Sequence, residues 1–394
     1  MRPIMLFRAA HLALYTEVLR EIGTPVEREL ATAGLPTMLA EQPDSYVPLL
    51  LAIDFLRKME QKEGIEDLGF LASQRLALSG LGVDLRIAAH RAPTLYAGLK
   101  LFCRLARFEN PNFRFLIVPK GDGIQVCSEL VGYHEFDGLQ YTEWLQNFAA
   151  VTFVRQFAGP RWCPAEIAFK SRFSPSPHAL ERFSNTRVLT GMKTAWIEVP
   201  ASMLSLPPRI NRRDPGSYAA SNGKGQLPVQ PNLDFPGSLK LALRAYLGDG
   251  IPSVHLAAVI AGISVRTLQR CLAQYGLSYS NLVQQVRFET AAQLLGDPER
   301  KVIDVAYAVG YGDPSHFSRA FRRLAGVSPR EFRRDLAIHC DLPPRTIPLF
   351  KLDRIPMEGR ADTAGASMQR RPDRAFPVTR SPAPEVCIPA HCVV

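Results

Sequence analysis

The sequence predicts two unlike domains: an α+β domain over residues 1–202, and an all-α domain over residues 237–335 in which a long helix joins two helix-turn-helix units. Three observations predict this. Residues 203–236 are dense in Pro, Gly, Ser and Asn and carry no apolar period, which reads as a linker. Before that stretch the apolar spacing switches between helical and strand periods; after it the spacing is helical only. Within residues 253–333, a short apolar helix, a glycine and a longer arginine-bearing helix occur twice. The copies are PSVHLAAVIAGISVRTLQRCLAQYG (Pro252–Gly276) and KVIDVAYAVGYGDPSHFSRAFRRLAG (Lys301–Gly326).

The N-terminal elements follow in order. MRPIMLFRAAHLALYTEVLREIG reads as an amphipathic helix; Arg8 and His11 interrupt it and no small-residue cleavage site follows, unlike a signal peptide. Residues 8–22, 48–63 and 94–108 place apolar side chains three and four apart, as helices do. NFRFLIV (Asn112–Val118) and GIQVCSEL (Gly123–Leu130) alternate around PKGDG, which predicts a β-hairpin. Residues 139–158 predict a buried, aromatic-rich helix containing Trp144, Phe148 and Phe153. Ala165–Phe173 and Thr194–Pro200 read as strands.

In the C-terminal domain the helix ends are written into the sequence. Gly262 and Gly310 stand where each pair must turn. Ser264 and Asp313 are N-cap residues, and Pro314 falls at the first helical position, where its missing N–H costs nothing. Gly276 and Gly326 are C-terminal stops, and Ser328 with Glu331 forms a capping box for a last helix. Ser278–Gly296 predicts one long amphipathic connecting helix, which would fix the spacing of its neighbours. Leu268 with Leu272, and Phe317 with Phe321, lie four apart and face a core. That leaves Arg266, Gln269 and Arg270 on the outer face of one long helix, and Ser315, His316 and Arg319 on the other. Two such faces can address two stretches of major groove, so double-stranded DNA is the predicted partner. An arginine on a helix surface is more often simply solvated, but two matched units with caps and cores are a specific pattern. Arg266 and Arg270 suit bidentate pairing with guanine, whereas Arg322 and Arg323 suit phosphates.

Charge agrees with this. The formal net charge is +10, and residues 237–335 hold 13 Lys/Arg against 8 Asp/Glu, the attraction phosphates require. No uncharged apolar run reaches the ~20 residues that span a bilayer. Seven scattered cysteines suit a reducing cytoplasm, the expected compartment. The chain has no GxxxxGK[ST], no GxGxxG after a strand, no GxSxG and no HExxH, so no catalytic residues, cofactor or resident metal are expected. His339, Cys340, Cys387, His391 and Cys392 do not follow a zinc-ligand spacing. Residues 336–394 hold too few periodic apolar positions to build a core, so this tail is expected to be disordered.

GYGDPSHFSRAFRRLAGVSPREFR (Gly310–Arg333), with AAVIAGISVRTLQRCLAQYG before it, resembles the DNA-binding domain of the AraC/XylS family of bacterial transcription regulators. The resemblance runs from Ser238 to Arg334 and implies seven helices. It implies base contacts by Arg266, Gln269 and Arg270 and by Ser315, His316 and Arg319. Pro314 stands where some relatives carry a polar base-reading residue, so the second helix is expected to read less sequence. RWCPAEIAF, PHALERFSNTRVLTG and PASML resemble, more loosely, the arabinose-binding-like sensor domain of ornithine-utilisation-type members. That implies a small-molecule effector, whose binding residues the sequence does not single out, a domain able to form a homodimer, and activation through RNA polymerase. The alternative is a DNA-binding regulator whose N-terminal domain only dimerises or docks proteins, with no ligand.

Overall fold

The computed structural model describes residues 1–131, 137–183, 185–209 and 234–338. Four apolar residues in a row, Ile4–Phe7, are all buried. Such a run suits a strand enclosed on both faces, and β1 (Leu6–Arg8) follows from it. The helix expected over the first 23 residues therefore begins only at α1 (Ala9–Glu21). After α2 (Val26–Thr32), β2 (Tyr46–Pro48) pairs antiparallel with β1, Phe7 opposite Val47. β2 runs directly into α3 (Leu49–Glu63), which Gly64 ends in a left-handed C-cap at φ 64°. Then come α4 (Leu68–Ser73), α5 (Val83–Arg91) and α6 (Leu95–Leu105).

The expected hairpin is present as β3 (Phe113–Lys120) and β4 (Gly123–Leu130). It joins a five-stranded sheet with α7 (Leu139–Ala158), β5 (Glu166–Ala168), α8 (Pro177–Arg182), β6 (Arg187–Leu189) and β7 (Ala195–Pro200) following in the chain. The strand order is β3-β4-β7-β5-β6, antiparallel except for the β5–β6 pair. The strand expected over 165–173 stops at Ala168. Beyond it Phe169 and Phe173 turn onto Trp144, with ring centroids 4.4 and 6.0 Å away. The amides of Lys170 and Ser171 donate to the Glu143 carboxylate of α7 instead of to a neighbouring strand.

The C-terminal region has the seven helices implied by the resemblance: α9 (Phe235–Arg244), α10 (Val254–Ile260), α11 (Val265–Gln274), α12 (Tyr279–Leu295), α13 (Val302–Ala308), α14 (Pro314–Ala325) and α15 (Pro329–Ile338). Local chemistry sets their ends as expected. Ser264 Oγ accepts from the Thr267 amide at 3.2 Å, and Asp313 Oδ1 from the Ser315 amide at 2.7 Å. Ser328 and Glu331 form the reciprocal capping box, with bonds of 2.7 and 3.3 Å. Gly262 and Gly310 take φ of 65° and 78° at the two turns. Gly312 does not take a positive φ.

The connecting helix α12 departs from the single-faced pattern expected of it. Its N-terminal half buries Leu282, Val283 and Val286 in one core, and its C-terminal half buries Ala291 and Leu295 in another with Phe317 and Phe321. A helix that serves two cores in succession cannot show one apolar stripe.

The first of those cores crosses from one domain into the other. Leu239, Leu243 and Tyr246 of the C-terminal region pack in one cluster with Leu6, Leu30 and Val47. Polar contacts reinforce the seam. The Ile4 amide donates to Ser238 Oγ at 2.9 Å, and Tyr246 Oη donates to the Gly34 carbonyl at 2.9 Å. Asp249 accepts from the Thr37 amide and hydroxyl at 2.7 and 2.6 Å.

Candidate nucleic-acid interface and buried cavity

Each long helix of the two helix-turn-helix units is pinned by its apolar face. Leu268 and Leu272 of α11 are fully buried, as are Phe317 and Phe321 of α14 at 2% exposure. Arg266, Gln269 and Arg270 therefore project outward from α11, and Ser315, His316 and Arg319 from α14, all exposed. Arg322 and Arg323 are exposed in the last turn of α14. The axes of α10 and α11 meet at 85°, near the crossing typical of this motif. Val265, at the N-terminus of α11, follows its serine cap directly.

Ion pairing of the arginines varies along the chain. In the N-terminal domain Arg8, Arg20, Arg57, Arg75, Arg114 and Arg187 each sit within 4 Å of a carboxylate. Lys240 and Arg244 of α9 both reach Glu289. Arg266, Arg270, Arg319, Arg322 and Arg323 form no ion pair among the described residues. Cations gathered on two exposed helix faces are what a polyanion engages. His316 is the exception, with Nε2 3.6 Å from Asp313 Oδ2 of its own cap.

Arg287 of α12 was not legible as a functional residue. Its Nε donates to the Val309 carbonyl at 3.1 Å, its Nη2 to the Gly310 carbonyl at 2.5 Å, and its guanidinium lies 4.2 Å from the Tyr311 ring. It clamps the connecting helix onto the turn that launches α14. Burial lowers its affinity for the proton, which Tyr311 partly offsets.

The N-terminal domain holds a cavity of about 50 Å³, its mouth partly open to solvent. Its walls come from β1, α1, α3, α5, α6, β3 and α7 and are mostly apolar. Glu109 borders it, 7% exposed. The carboxylate accepts from the Gly82 amide at 2.7 Å, from Arg8 Nη1 at 2.6 Å and from His11 Nε2 at 3.0 Å. Burial pushes its pKa up, but His11 and Arg8 outweigh that and hold it at about 2. Arg8 also pairs with Asp44. Arg8 and His11, polar interruptions in the sequence, are thus buried members of one ionic cluster.

Among the described residues no group of His, Cys, Asp and Glu is arranged to hold a metal ion, and no single helix is long and apolar enough to cross a membrane. The cysteine and histidine set from His339 to Cys392, and the tail from residue 339, lie outside the described residues, as do residues 210–233 of the expected linker.

Comparison with known proteins gives two family models. One, described as a helix-turn-helix domain, matches residues 257–335. The other, described as the N-terminal arabinose-binding domain of AraC transcription regulator, matches residues 23–208. The HTH-type transcriptional regulator VirS of Mycobacterium tuberculosis is 24% identical over 335 residues, covering 83% of this chain and 96% of that protein. The HTH-type transcriptional activator RhaS of Enterobacter sp. is 41% identical over 95 residues, covering 23% of this chain and 34% of that protein. The crystal structure of transcriptional regulator CdpR from Pseudomonas aeruginosa is 20% identical, covers 78% of this chain and 96% of that one, and aligns with a TM-score of 0.32.

Proposed function

Because the chain belongs to the AraC family of transcription regulators, with an arabinose-binding-type N-terminal domain and a helix-turn-helix C-terminal region, we propose that it reads a bipartite promoter site and activates transcription in response to a small molecule. The observation that carries the DNA reading is the pair of exposed, arginine-bearing helix faces, mounted on one connecting helix. Arg266, Gln269 and Arg270 read one stretch of major groove, and Ser315, His316 and Arg319 the next. Arg322 and Arg323 hold phosphates. The 17 residues of α12 span about 25 Å, and the offsets of α11 and α14 add to that reach; neighbouring major-groove faces recur at about 34 Å. Activation is supported by the likeness to a named activator over the C-terminal region and would act through RNA polymerase. Effector control is supported by the apolar cavity of the N-terminal domain.

The seam between the domains supplies a route between the two events. Phe7 of β1 lines the cavity, while the Ile4 amide just before it bonds Ser238 of α9. Met1 Sδ lies 3.2 Å from Cys271 Sγ on α11 itself. A molecule that displaces β1 therefore perturbs the seat of the first recognition helix.

Selection from a pool of randomised duplexes with the full chain tests the DNA reading. The enriched sequences carry two conserved blocks about one helical turn apart. Enrichment of a single block, or of none, refutes two-site recognition.

A further inference from the structure

The cavity limits what the effector is. Helix α7 buries five polar side chains, Thr142, Glu143, Gln146, Asn147 and Thr152, and the two threonine hydroxyls donate to the carbonyls of Leu139 and Leu76. Glu143 and Asn147, four apart, turn toward the sheet and are satisfied there: the carboxylate by the amides of Lys170 and Ser171, the Asn147 amide by the Ala168 carbonyl at 3.0 Å. Gln146 lies on the other face, with Thr142 and Ala149, and lines the cavity. It is 7% exposed, and neither its Oε1 nor its Nε2 has a hydrogen-bond partner. A buried primary amide with donor and acceptor both unmet costs stability unless something pairs with it. His11 Nδ1, also on the cavity wall, is likewise unpartnered.

The charges at this wall are already committed. Both Glu109 oxygens are occupied, and Arg8 is held by Glu109 and Asp44. Among the described residues that line it, no free Lys or Arg awaits a carboxylate ligand and no free carboxylate awaits an amine. The remaining walls, among them Phe7, Leu56, Phe102 and Phe115, are mostly apolar. A sugar carries a hydroxyl on nearly every carbon and would leave most of them unpaired against such walls.

We propose that this cavity binds an uncharged, largely apolar molecule carrying a single donor–acceptor group, such as a carboxamide or lactam, and that Gln146 is the residue that recognises that group. The proposal rests on the effector-controlled reading above and specifies its ligand class. The Gln146 amide pairs in a two-bond ring with the ligand amide.

The test uses the full chain and four probes in titration calorimetry: naphthalene-2-carboxamide, naphthalene, 2-naphthoate and L-arabinose. The amide binds at least about tenfold more tightly than the hydrocarbon and the carboxylate, and arabinose gives no heat. Gln146→Leu removes the unmet polar atoms at similar volume. It reverses the preference, weakening the amide about tenfold or more while naphthalene binds as well or better, and its melting temperature does not fall. Ala149→Phe fills the space one turn along the same face and removes binding of all the aromatic probes. It guards against a Gln146→Leu chain that does not fold. Equal losses for amide and hydrocarbon in Gln146→Leu overturn the assignment, as does naphthoate or arabinose binding as tightly as the amide. Probe binding that survives Ala149→Phe places the site elsewhere and also overturns it. The duplex selection runs alongside. A chain that selects its bipartite site yet responds only to sugars or charged metabolites overturns the ligand class and leaves the regulator reading intact. A chain that binds the amide through Gln146 but selects no DNA does the reverse.

Discussion

Replacing Arg287 by Ala separates the mounting of the second recognition helix from the contacts that helix makes. The guanidinium donates to two carbonyls, of Val309 and Gly310, and stacks on Tyr311. A hydrogen bond from a charged donor contributes about 1.5–3 kcal/mol, and a partly exposed cation–π contact about 0.5–1 kcal/mol. Because Arg287 is only half-buried, solvent replaces part of each, and a loss of about 2–4 kcal/mol is expected, confined to the joint between α12 and α14. The assay compares two duplexes from the selection: one with both blocks, and one with the α14 block scrambled. Wild type binds the first more tightly. Arg287→Ala loses most of that advantage, roughly 30-fold to several hundred-fold, and binds the scrambled duplex as wild type does. An equal loss on both duplexes, with the salt slope shallower by about one, means that Arg287 holds a phosphate and does not act through the turn. An unchanged advantage means that the joint is rigid without it.

Other outcomes follow from the same geometry. Arg270→Ala and Arg319→Ala each weaken specific binding by about 1–3 kcal/mol and relax preference at different base pairs; uniform losses on all DNA would assign them to phosphates. Phe321→Ala lowers stability by about 3–5 kcal/mol, read by thermal melting of the full chain. Gly310→Val destabilises it as well, since φ is 78° and an added Cβ would lie 3.0 Å from the Leu247 carbonyl oxygen. A Gly310→Val chain that melts like wild type contradicts the turn geometry. Glu109 sits among Arg8, His11, Asp44 and Tyr46, and its pKa in the fold is lowered from 4.5 to about 2. Its contribution is therefore fully present above pH about 4.5 and is lost as pH falls toward 2, a change of about 3 kcal/mol. Glu109→Gln is less stable than wild type at neutral pH because it leaves Arg8 underpaired, and its stability falls less steeply in that acid window; a parallel acid profile would count against the cluster.

What could be read from the sequence was whatever neighbouring residues decide among themselves. Ser264 caps Thr267, Asp313 caps Ser315, and Ser328 exchanges bonds with Glu331; each partner stands two or three positions away. The outward faces of α11 and α14 were legible because Leu268, Leu272, Phe317 and Phe321 fix the inward ones. The ionic cluster was not legible, since Glu109 lies about a hundred positions from Arg8 and His11. Gln146 gave no signal, because a glutamine in an aromatic helix looks the same whether or not its amide finds a partner. The strand expected beyond Ala168 failed for a related reason: the aromatic alternation that suggested pleating serves a ring cluster around Trp144. The two-sided role of α12 needs knowledge of both cores it joins.

The hydrogen bond between Ile4 and Ser238 ties together residues that leave the ribosome far apart in time. At about 5–20 residues per second, the segment Ile4–Phe7 waits some tens of seconds before α9 exists to cover it. During synthesis it is an apolar segment that can pair with β2 but lacks the cover α9 will supply, the kind of exposed surface that nascent-chain chaperones engage. The first domain can assemble its sheet in that interval, but its outermost ribbon closes only when the DNA-reading half arrives. A nascent chain stalled before Phe235 should thus leave residues 1–8 open to protease, and one released after Leu295 should protect them.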